Sequence, residues 1–187
     1  MSATLDARTA GEVGAAMVAA LQAAQWTPPG GSATAAFEVV KLFDALELGR
    51  AFEEVLVAQK SRVAFVVMTG EAWESEPRTA LRLSSRRTLN VSVIVSDRVL
   101  ADRQSAIWGN ATHPGSDRLK DLAIAAVVGR IQGAQKPAVA IVESAELMFV
   151  ERLEDTGKTL PGRAAHLIEF AVEGGSLTAA LGMGPAH

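Results

Sequence analysis

The sequence predicts a single α/β (α+β) domain whose mixed, mainly antiparallel sheet is built around one long β-hairpin. Three observations lead there. Apolar residues recur at helical spacing in two stretches, around Val13 to Ala24 and Leu119 to Ile131. The run from Val63 to Met68 is apolar at every position, and the run from Thr88 to Ser96 alternates strictly, with one turn signal between them. Finally, 187 residues with 49% hydrophobic side chains can bury one real core. The domain is expected over residues 1–173, with residues 174–187, rich in Gly and Ala, as a flexible C-terminal tail.

Composition narrows the function classes before any motif does. With 18 Lys and Arg against 21 Asp and Glu, the formal charge of −3 argues against a basic DNA-coating surface and against an acidic solvating tail. The absence of cysteine removes disulfide scaffolds, thiol nucleophiles, zinc knuckles and iron–sulfur ligation together. No run reaches the roughly 18 apolar residues of a membrane span. The Ala-rich stretch from Val13 to Ala24 does not read as a signal peptide, because Asp6 and Glu12 precede it and Gln22 interrupts it.

In chain order, Val13, Met17, Leu21 and Ala24 share one stripe of a first helix, stopped by Pro28, Pro29, Gly30 and Gly31. A short strand is expected from Phe37 to Phe43, and an amphipathic helix over 49–59, where Phe52, Val55 and Leu56 share a face. Val63 to Met68 reads as a central strand covered on both sides. The alternating run to Ser96 reads as a half-buried strand. Ser75-Glu76-Pro77-Arg78 supplies the turn, and reflection about Pro77 sets Val63 near Val91 and Phe65 near Leu89.

Glu71, Glu74 and Glu76 on the ascending half of this hairpin face Arg78, Arg82, Arg86 and Arg87 on the descending half. Cross-strand pairs of opposite charge contribute about 0.2–1 kcal/mol each, enough to set register without a core beneath. An arm over about 71–87 is therefore expected to project. Its residues, with Trp73 and the separate Trp108, are the candidate partner contacts, since exposed tryptophans anchor interfaces.

After Asp97 the chain is polar and irregular as far as Gly115, with Ser116 or Asp117 expected to cap the next helix. That helix ends by Gly133 and Pro137. Strands from Ala138 to Leu153, bent near Ser144, and from Ala164 to Val172 close the domain.

The apparent chemical motifs dissolve on inspection. Gly157-Lys158-Thr159 lacks the glycine that a phosphate loop needs at position 152, where Arg152 stands, and it leads toward a strand. Asp155-Thr156-Gly157 follows Glu154 and not the apolar run of an aspartic protease, so it reads as a turn. His113, His166 and His187 share no metal-ligand spacing, and His166 reads as a partly exposed strand residue. Ser84 and Ser85 have no histidine and carboxylate placed for hydrolysis. No cofactor, metal or catalytic site is expected. The arginines of the arm would serve a DNA-binding module, yet the glutamates opposite neutralise much of their field.

The order helix, strand, short helix, long hairpin, loop, helix and two strands resembles the tail terminator and minor tail proteins of long-tailed bacteriophages. The resemblance is carried by Gly14-Ala15-Ala16-Met17-Val18-Ala19-Ala20-Leu21, by the hairpin from Arg82 to Asp97, by the helix after His113-Pro114-Gly115, and by His166-Leu167-Ile168-Glu169-Phe170. It implies helices packed on one face of the sheet, a homohexameric ring on the last ring of the tail tube, and no catalysis. The implied partners are further copies of the chain, the tail tube protein and a head-tail connector or neck protein, with DNA passing through the lumen unspecifically. The implied location is the virion, after assembly in the host cytoplasm. The Trp108 loop and the insert from Pro28 to Ser32 depart from a compact terminator, which leaves a head-tail connector or tail-completion role as the alternative.

Overall fold

Residues 2–7, 9–43, 50, 60–75, 82–99, 103–128, 145–153 and 163–180 are described by a computed structural model of the chain. They form a mixed, mainly antiparallel α+β fold. The strands are β1 (Ser2–Ala7), β2 (Gln25–Trp26), β3 (Thr34–Ala35), β4 (Val39–Phe43), β5 (Val63–Ser75), β6 (Arg82–Arg98), β7 (Ala145–Leu153) and β8 (Arg163–Ala180). The helices are α1 (Ala10–Gln22), α2 (Arg103–Trp108) and α3 (Gly115–Val127). The main sheet runs β1-β8-β6-β5-β4, with β7 also paired to β8, and β2 and β3 form a separate two-stranded ribbon.

Helix α1 starts where the sequence supplies a capping box: Thr9 accepts the Glu12 amide at 3.1 Å, and Glu12 accepts the Thr9 amide at 2.7 Å. Its stripe Val13, Met17 and Leu21 is fully buried, as is the stripe Leu119, Ala123 and Val127 of α3. Both stripes pack on one face of the sheet, against Ala64, Val66, Val91, Val93, Val95, Ile168, Phe170 and Val172. The sheet's other face buries a second cluster of Phe43, Val63, Phe65, Val67 and Ile94. Val63 to Met68 is thus covered on both sides, as its unbroken apolar run requires.

The hairpin exists, but its register differs from the reflection about Pro77. Val63 pairs with Ser96, Phe65 with Ile94, and Val91 lies opposite Met68. Strand alternation repeats every two residues and fits many registers equally, so the turn decides, and Ser75 is still paired, with Ser85. Nor is β6 half-buried: Val91 to Asp97 is buried at every position. The polar members of that run are accommodated partly by hydrogen bonds, Ser96 Oγ donating to the Ala164 carbonyl at 2.9 Å.

Three further expectations change. Strand β8 does not end at Val172; residues 175–180, expected as part of a tail, pair with both β1 and β6. The segment 97–115 contains the end of β6 and the helix α2. Ser116 does not cap α3 but lies buried inside its first turn. The expected helix over 49–59, apart from Arg50, and residues 138–144 and 181–187 lie outside the described residues.

Candidate interaction surface

β6 is 17 residues long, about 55 Å at the usual rise, and among the described residues only its second half packs under the helices. Beyond Leu89 the sheet continues as four strands as far as Ser85, β5 from Ala72, β6, β8 from Gly175 and β1, and as three, β6, β8 and β1, back to Arg82. Thr69 to Ser75 are all exposed. Successive rows of this outer sheet largely alternate in character: Leu5 opposite Leu177 and Ser85, Thr4 opposite Thr178 and Ser84, Ala3 opposite Ala179 and Leu83. Such alternation suits a sheet with one face for burial and one for water.

The expected arm residues sort as follows. Trp73 lies directly opposite Arg87, and Glu74 opposite Arg86. Arg87 donates from Nε to Glu71 Oε2 at 3.0 Å, its second nitrogen pairs with the same oxygen, and its guanidinium stands 5.6 Å from the Trp73 ring centre. The hydrogen bond from Arg87, then its charge, holds the Glu71 carboxyl below the usual carboxylate range despite some desolvation, and Trp73 adds a further hydrogen bond. Arg86 reaches a third strand, with Nε 3.3 Å from Glu173 Oε1. Arg82 takes its place in β6 opposite Ala180. Glu76 and Arg78 lie outside the described residues.

Trp108 does not join this group. It ends α2 and is 60% exposed, at the opposite end of β6, where Asp97 gathers the loop. The fully buried Asp97 carboxylate accepts the Gly115 amide at 3.0 Å and the Arg98 amide at 2.8 Å, and stands 3.4 Å from His113 Nδ1. Asn110 Oδ1 accepts the Thr112 and His113 amides, both at 2.9 Å. Gly109 and Gly115 have φ of 83° and 78°, and a Cβ on Gly115 would stand 2.3 Å from the Gly109 nitrogen. The loop is therefore pinned by backbone closeness that only glycine permits.

Sequence reading missed this cluster, because an Asp at a strand end and a His in a turn carry no spacing that links them. Arg163 belongs to the same end of the sheet, buried, donating to Ser96 Oγ at 3.0 Å and to the Lys60 carbonyl at 2.9 Å. Burial, with the Arg98 charge beside it, pushes its pKa down to about 10 against the pull of Asp97. His166 is buried and not partly exposed, since its register partner Val95 belongs to the helix-covered face.

A surface pocket between α1 and α3 is lined by Ala20, Ala23, Ala24, Gln25, Leu122, Ala125 and Ala126, so one amide is its polar side chain. Among the described residues no three His, Asp or Glu side chains stand together as a metal site. No helix among them is long and apolar enough to cross a membrane. No protein-family model matches the chain, and no curated protein matches it either.

Proposed function

We propose that this chain is a structural virion protein that closes into a ring of six on the tail tube of a long-tailed bacteriophage and joins the tail to the neck. The observation that carries the reading is the outer sheet, up to four strands wide and extended past the described helices that cover the rest. Strands without a core beneath are costly to order alone. Among the described residues β5 has no strand partner on its outer side beyond Val67, and β1 has none beyond β8. Two different open edges on one molecule suit a head-to-tail contact, the kind that closes a ring. The charges of Glu71, Arg86, Arg87 and Glu173 would set register there, and Trp73 would supply apolar contact.

Light scattering at low and high salt, over a range of concentrations and with tail tubes added, tests the reading. A hexamer, or a monomer forming six-fold rings on tubes, supports it. A monomer indifferent to concentration and tubes overturns it, as does equal assembly by a chain lacking residues 71–87.

A further inference from the structure

The boundary between the helix-covered sheet and the outer sheet coincides with a line of backbone irregularities. On β5 the ladder to β6 shifts register between Met68 and Gly70. On β8 the ladder to β6 passes from Glu173 to Gly175, stepping over Gly174. At the same level, among the described residues, β7 makes its outermost pair, Ala145 with Val172, and β1 its innermost, Ala7 with Gly175. Among the described residues β4 pairs no further than Phe43, opposite Val67.

A single bulge bends and twists a strand while the neighbouring ladders hold it. Here the ladders on both sides of β6 are displaced within a few residues of each other, and the strand flanking β8 changes. The packing changes there too. Met68, Leu89 and Val172 are buried up to the line, whereas β5 is exposed from Thr69 to Ser75 and β6 is exposed at Asn90 and Arg86. Crowding does not demand glycine at position 70, where a Cβ would meet only Asn90 Nδ2 at 4.0 Å. Glycines at 70, 174 and 175 leave the backbone free to rotate on two of the crossing strands.

Side-chain ties span this line. Thr69 Oγ1 donates to the Asn90 carbonyl at 3.1 Å, and Arg86 on the outer side pairs with Glu173 on the core side. Glu71 stands opposite Leu89 of the core side, so its pair with Arg87 spans the line as well.

We infer that this line is a hinge, about which the outer sheet of residues 2–7, 73–75, 82–87 and 175–180 swings as a unit, with the Arg86–Glu173 ion pair as a catch. The inference holds for one copy of the chain and does not rest on the ring. Motions of this kind fall in the microsecond-to-millisecond range and leave a spread of conformers in frozen solution.

The absence of cysteine makes paired spin labels unambiguous. Distances between labels at Ala15→Cys on α1 and Ser75→Cys on the outer sheet are compared with those between Ala15→Cys and Ala125→Cys, all three sites being exposed. The expected distribution for the first pair is about twice as wide as for the second. Glu173→Gln widens it further, high salt does the same, and Gly70→Val narrows it. A first pair no wider than the second, in the parent and in Glu173→Gln, overturns the hinge. So does a wide distribution that neither Glu173→Gln nor Gly70→Val changes, since the spread would then come from fraying.

Discussion

Asp97, near the end of β6, caps helix α3 from eighteen residues upstream by accepting the Gly115 amide at 3.0 Å. The helix's own N-cap residue, Pro114, makes no side-chain cap hydrogen bond. The carboxylate's negative charge also lies at the positive end of the helix dipole. One buried group thus ties a central strand, a loop and a helix together. Asp97→Asn is expected to cost about 1.5–3 kcal/mol, because it removes a charged acceptor and turns amide protons toward other donors. Urea denaturation measures it, with amide exchange at Gly115 as the local readout. A loss below about 0.5 kcal/mol would mean that the loop holds itself.

Gly115→Ala should destabilise by at least about 2 kcal/mol, since strained φ and backbone overlap combine there. Gly30 is the control, with φ of 70° but nothing within 4 Å of an added methyl, so Gly30→Ala should cost only about 1 kcal/mol. Equal midpoints for the two variants in chemical denaturation would remove the packing part of the explanation.

The Glu71 carboxyl should titrate below the other glutamates, a difference that carbon-detected NMR resolves. Its folded-state pKa lies under the unfolded one, so its stabilising effect is complete above the ordinary glutamate range. That effect disappears as pH falls through the depressed value. Arg87→Gln should return the titration to the ordinary range, and salt should weaken the depression because the pair is open to water. An unchanged midpoint in Arg87→Gln would assign the shift elsewhere.

A chain ending at Glu173 loses the part of β8 that pairs with β1 and with Arg82 to Arg87. Amides of Arg86 and Arg87 should then exchange at least about tenfold faster, while those of Val93 and Val95 keep their protection. Uniform loss of protection would show that the outer sheet and the core open together. Unchanged protection would show that residues 174–180 add nothing to β6.

The helix-covered core was legible because its signals are local and strong. Val13, Met17 and Leu21 announce a buried helix face, and Val63 to Met68 a strand with no wet side. What stayed hidden depends on distant neighbours. Leu5 lies in a Ser-Ala-Thr-Leu-Asp-Ala strand and Leu177 in a segment opening Gly-Gly-Ser, and neither composition favours β structure on its own. Each becomes a strand because the other, and β6, lie alongside. Arg86 illustrates the same limit at the candidate surface: its charge suggested a cross-hairpin partner, and the register opposite Glu74 agrees, yet its ion pair reaches Glu173 on a strand the sequence ended too soon.

The pairing of Ser2 with Ala180 has a consequence for how the chain acquires its shape. β1 has its partner among the last residues of β8, so it must wait through the synthesis of every element between the two. Contacts between such distant positions raise contact order and slow folding. The nascent chain can assemble α1 against β5 and β6 well before that closure. β1 is then the last strand stitched in, and its unpaired edge is exposed to other chains until β8 arrives.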